Sequence, residues 1–230
     1  MIKKLLNSKI AKLIAVALIV IGLCIALRPS YLAWRFSRMQ AQMLDAWHAT
    51  SEFTGGDNRA GWGSSIAIVG GNADDIWAED TNPKIDLNYI INNMDGTLLI
   101  PKINLNMPII NKYTIKNLNI APCTVIEKNK MGQKGNYVLA GHRSRIRGRH
   151  FSRIIELNPG DLIITENKEA RYTYQVTDNF LVMPEDTWVM DNDGDKKLIT
   201  LITCDYRMQP TGRLIIRGEL IGSEPLVVAE

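Results

Sequence analysis

From residue 96 onward the chain is a succession of short apolar runs, 96–103, 106–110, 120–126, 136–141, 161–165, 171–182, 198–204 and 213–220, separated by Gly, Pro, Asn and Asp. β-Branched residues fill the runs and turn formers break them, which is the pattern of strands rather than helices. So many strands within about 125 residues predict a closed antiparallel barrel or a sandwich, long enough to enclose a real core.

The N-terminal pattern is different. Leu13 to Leu27 is uninterrupted apolar sequence behind Lys3, Lys4, Lys9 and Lys12. That run makes about 22 Å of helix against a hydrocarbon core of about 30 Å, and extending it back to Ile10 with Lys12 snorkelling nearly closes the gap. A single retained membrane anchor is expected. A cleaved signal peptide is the alternative, although no small-x-small site follows Leu27, and Cys24 behind the bulky Leu23 reads as part of the span. Arg28, Arg35 and Arg38 follow the span, so charge alone gives only a slight bias toward a cytoplasmic N-terminus.

Leu32, Phe36, Met39, Met43 and Trp47 recur at helical spacing and predict an amphipathic helix leaving the membrane, with Tyr31 and Trp34 at the lipid interface. Thr54 to Gly71 is glycine-rich without phosphate-loop spacing and reads as a tether. The expected organisation is therefore an anchor over 1–30, a juxtamembrane helix and linker over 31–94, and a β domain over 95–230.

The formal charge of +3 comes from the anchor, because the chain beyond residue 12 balances to −1. The basic pI is thus no argument for nucleic acid. Arg143, Arg145, Arg147, Arg149 and Arg153 form the one local exception, readable as a solvated loop or as a contact for an anionic envelope component or peptide.

Candidate chemistry lies at strand ends. Thr200 to Cys204 (TLITC) closes one β-branched run, and Arg213 opens the next after a turn containing Pro210 and Gly212. If these runs pair antiparallel, Cys204 and Arg213 become neighbours, and a guanidinium beside a thiol favours the nucleophilic thiolate. The alternative is a small buried cysteine. Of three histidines, His48 falls in the helical stretch. His142 ends the run NYVLAGH at the mouth of the arginine-rich loop, and His150 within that loop is the weaker base.

These residues carry a resemblance. TLITC is similar to the TLxTC signature of the sortases, cell-wall transpeptidases of Gram-positive bacteria, and NYVLAGH to the strand that delivers their histidine. GTLLIPKINLNMPI resembles the first two strands of that fold and GRLIIRGEL its last, all in the family's order over about 95–221. GNYVLAGH and the single anchor suit class A, whereas IAPCT, at 120–124, is not the glycine-containing string expected there.

The resemblance implies an eight-stranded β-barrel with short helices. It also implies Cys204 as nucleophile, His142 as acid/base and Arg213 as the residue that positions substrate and steadies the oxyanion. Arg217 is the rival arginine on the same strand face, about 13 Å away; Arg213 is preferred because it starts the strand. Thr203 and Ala140 would line the substrate site. Trp188, in the loop PEDTWVMDNDGD before the catalytic strand, would wall the peptide groove or simply pack that loop. The implied reaction cleaves an LPXTG-type signal between Thr and Gly through a thioester, then transfers the acyl group to an amine of a lipid II-type cell-wall precursor, outside the membrane.

No cofactor is expected. Cys123 reads as a packing residue, there is no CxxC or HExxH, and Asp191, Asp193 and Asp195 form a turn with Gly194 misplaced for a calcium loop. Calcium, bound between two loops in some sortases, finds only Glu127 in one of them. A hydrolytic cysteine enzyme and an inactive membrane-tethered adhesion or assembly module are the alternative functions.

Overall fold

The computed structural model describes residues 9–52, 89, 92–207 and 211–226. Helix α1, Lys9–Glu52, runs without interruption through both predicted N-terminal helices, with Pro29 inside it. Its segment Ala11–Tyr31 is long and apolar enough to cross a membrane, and the apolar side chains from Leu13 to Leu27 are exposed. In the predicted stripe, Met43 and Trp47 are buried, Met43 within the main core. This end of α1 packs on strand β2, Leu105–Ile110, while Lys168 lies 5.2 Å from the Trp47 ring. The predicted glycine-rich tether falls outside the described residues.

The remaining strands are β1 Met94–Ile100, β3 Cys123–Thr124, β4 Gly135–Ala140, β5 Leu162–Glu166, β6 Ala170–Val182, β7 Lys197–Asp205 and β8 Gly212–Pro225. They close a barrel in the order β1-β2-β3-β4-β7-β8-β6-β5. The predicted eight-stranded barrel is thus the observed fold, with one difference: β2–β3 and β4–β7 pair parallel. Strand alternation sets facing, and carries no information on the direction of a partner. β4 and β7 also lack alternation, because Tyr137, Leu139, Ile199 and Leu201 fill the barrel while the segment between β6 and β7 covers the opposite face. Strands covered on both sides read as continuous apolar runs.

The predicted strand at 120–126 shrinks to two residues. Before it stands helix α2, Ile115–Ile120, whose N-cap Thr114 accepts a hydrogen bond from the Asn117 N–H. One and a half turns are too short to display a helical period.

Candidate active site

Cys204 and Arg213 are direct partners in the antiparallel β7–β8 ladder, and opposite residues of a ladder present their side chains on one face. On the other side of β7, Ala140 pairs in parallel with Ile202, and the Gly141 N–H continues the ladder to the Ile202 carbonyl at 3.0 Å. His142 follows on this track between Gly141, which is tied to Ile202 and Thr203, and Arg143, which reaches the Cys204 carbonyl and Asp205. The three side chains expected to act together are therefore brought to one end of the barrel, each half-buried.

Local contacts hold this arrangement. The Thr203 hydroxyl donates to the Gly141 carbonyl at 2.8 Å, tying the strand of the thiol to the segment of the imidazole. Thr203 is buried, so its observed place is beneath the site rather than along the groove, as expected of a side chain one step out of phase with Cys204. Gly141 lets the chain pass close to Phe151, since a Cβ there would lie 2.5 Å from that ring. The Phe151 N–H donates to the His142 carbonyl at 3.0 Å.

His142 Nε2 is 3.0 Å from Asn119 Oδ1. With the carbonyl oxygen accepting, the hydrogen sits on Nε2 and Nδ1 is the basic nitrogen. Burial, with help from the Arg149 guanidinium, holds the His142 pKa below its ordinary value, so the neutral imidazole prevails at neutral pH. The His150 ring stands edge-on to it at 6.0 Å. His150 is buried, and burial, Arg149 and His142 push its pKa down to about 3, leaving it unfit as a base.

An apolar groove of about 200 Å³ opens beside the site, lined by Ala140, Ile202, Arg213, Ile215, Val182, Val189 and Met190 among others. Its wall, the segment between β6 and β7, is bolted to the barrel. Asn136 donates to the Val189 and Asp191 carbonyls at 3.1 and 3.2 Å, while Thr200 donates to Asn136 Oδ1 at 2.7 Å. Arg217 donates to the same Val189 carbonyl at 2.8 Å and lies opposite Thr200, four residues along β7 from Cys204. Of the two rival arginines, Arg213 is thus the one at the thiol and in the groove. Trp188 is exposed, stacks on Phe180 at 5.8 Å and is not a lining residue of the groove, whereas its neighbours Thr187 and Val189 are.

Cys123 is fully buried, its thiol donates to the Ala121 carbonyl at 3.3 Å, and burial pushes its pKa up to about 12. It is an inert packing thiol. Among the described residues no group of three or more His, Cys, Asp and Glu side chains is placed to hold a metal ion.

Three partners went unrecognised in the sequence. Asn119 sits on the short α2, and nothing in its sequence context marks it. Arg143 and Asp205 each follow a recognised candidate by one residue, and they form an ion pair at 3.0 Å. Asp205 is buried, also pairs with Arg207, and its carboxyl is held well below the usual range, chiefly by hydrogen bonding to Arg207 and then by the Arg143 charge.

The sequence family described as the sortase domain matches residues 98–221, from β1 into β8. The chain belongs to the sortase family. Sortases are membrane-associated cysteine transpeptidases, and this sortase is similar to sortase A of Bacillus anthracis, with 38% identity over 147 residues, 64% of this chain and 67% of the relative. It is 33% identical to sortase A of Listeria monocytogenes over 139 residues, 60% of this chain and 62% of that one. The solved Listeria monocytogenes sortase A structure superposes with a TM-score of 0.55 at 32% identity, covering 59% of this chain and 92% of that one.

Proposed function

We propose that this sortase is a single-pass membrane enzyme with a cytoplasmic N-terminus, in which 1–30 anchors, 31–94 spaces and 95–230 catalyses outside the cell. Its substrates are proteins bearing LPXTG-like sorting signals, and its acceptor is an amine of a lipid II-type cell-wall precursor. The observation that supports this reading best is the ladder pairing of Cys204 with Arg213, with His142 just past the end of the neighbouring strand β4, beside an apolar groove.

Each residue then has a defined task. The peptide's apolar side chains lie along Ala140, Ile202 and Val189, which brings the Thr–Gly carbonyl to Cys204 Sγ. Neutral His142 accepts the thiol proton as sulfur attacks. Arg213, opposite Cys204, faces the charge that develops on the carbonyl oxygen. His142 then gives its proton to the departing glycine amine, and a thioester remains. An incoming amine loses its proton to His142, attacks the thioester and frees the thiol. The thioester conserves the free energy of the broken amide, so no nucleotide is consumed. Trapping the acyl-enzyme with sorting peptides, with and without amine acceptors, tests this reading. Product carrying the amine supports transfer, whereas free carboxylate alone at saturating amine would mark a hydrolase.

A further inference from the structure

The groove is lined by the segment between β6 and β7 and by β4, β7 and β8, and no residue of 143–153 is among its lining. His142 is followed at once by a loop that stands outside this groove. From His142 to Arg153 this loop carries five arginines and no acidic residue. The two at its base are engaged in the fold. Arg143 pairs with Asp205 at 3.0 Å, and Arg153 pairs with Glu156 at 2.6 Å while donating to the Ile103 carbonyl at 2.8 Å.

Arg145 and Arg147 at the tip are exposed, and Arg147 makes only a long 3.7 Å approach to Glu156 with 78% of its side chain in solvent. The tip is nevertheless well formed. The Ile146 and Gly148 N–H groups donate to the hydroxyls of Ser144 and Ser152, each at 3.0 Å, and Arg143 and His150 bridge across the loop. Gly148 turns the chain at φ 82° with open space where a Cβ would project. Two guanidiniums are thus displayed on a shaped loop directly after the acid/base, in a domain whose overall charge is close to balance.

We infer that Arg145 and Arg147 hold a diphosphate group on the acceptor, so that the acceptor amine approaches His142 from the side opposite the peptide groove. Guanidinium forks match phosphate oxygens two at a time, and a diphosphate spans adjacent arginines better than a single carboxylate does. This rests on the proposed transfer reaction and adds the site and chemistry of its second substrate.

The test compares two synthetic acceptor amines, one carrying a diphosphate ester and one uncharged, in the wild-type chain and in R145E/R147E. The expected result is a preference for the charged acceptor that falls about tenfold in the double variant, weakens with added salt, and is competed by inorganic pyrophosphate. An unchanged preference would overturn the inference. So would arginine-dependent binding to phosphatidylglycerol vesicles without any change in acceptor preference, which would assign the loop to the membrane surface. Failure to form any acyl-enzyme would instead strike the transfer reaction itself, a different readout from acceptor preference.

Discussion

Arg143 and Asp205, each one residue past a member of the Cys204–His142 pair, are joined by an ion pair at 3.0 Å. Arg143 also reaches the Cys204 carbonyl at 3.5 Å. The two segments of the site run parallel and are linked at this end by a charge pair whose carboxylate is fully buried. Removing one partner of such a pair leaves the other uncompensated, at a typical cost of about 3 kcal/mol. Asp205→Asn is expected to lower the unfolding midpoint and to reduce kcat/KM for peptide cleavage by roughly tenfold or more, as the His142 segment loses its tether to β7. Stability curves and steady-state kinetics on the same preparation check both effects.

Arg213 and Arg217 share a face of β8 and separate by function. Arg213→Ala is expected to lower kcat by about 100-fold, the usual loss when a donor to a developing oxyanion is removed. Arg217→Ala, which removes one of the two donors to the Val189 carbonyl, is expected to raise KM through a looser groove wall with a much smaller change in kcat. Equal kcat losses in the two variants would contradict the assignment.

The acid limb of the pH profile belongs to His142. Its pKa is held below the ordinary histidine value, so activity is expected to fall only below about pH 6.5. Asn119 accepts from Nε2 and favours the imidazolium more than the neutral ring. Asn119→Ala therefore moves the acid limb to still lower pH, with roughly a tenfold drop in kcat. A limb that stays in place or rises would rule out this role for Asn119.

His150 contributes to stability against pH rather than to chemistry. Its folded pKa of about 3 lies below the unfolded value, so below about pH 6.5 the unfolded chain binds a proton that the folded chain refuses. Its contribution is complete above that pH and is lost as the pH falls toward 3. By pH 5 the loss is about 2 kcal/mol. His150→Phe is expected to flatten the fall in denaturant midpoint between pH 6.5 and 5, compared with the wild type.

The strands could be read from the sequence because each apolar run ends in turn residues, and Cys204, Arg213 and His142 stood out because each closes or opens such a run. The Cys204–Arg213 pairing follows from an antiparallel hairpin and needed no distant information. The parallel neighbour that carries His142 to the Cys204 end of the barrel did, because a run such as NYVLA has the same composition whichever way its partner points. Arg143 was visible only as one of five loop arginines, and Asp205 only as a turn residue; a buried ion pair has no local signature. Thr203 and Trp188 sit away from the groove for a simpler reason: strand phase turns one inward, and stacking on Phe180 turns the other outward.

The central claim is that Cys204 forms the thioester. Mass spectrometry of the intact chain after mixing with an LPXTG-like peptide measures this directly. One acyl adduct, cleaved by hydroxylamine, is expected in the wild type and in Cys123→Ala and not in Cys204→Ala. An adduct that persists in Cys204→Ala, or disappears in a folded Cys123→Ala, would contradict the claim.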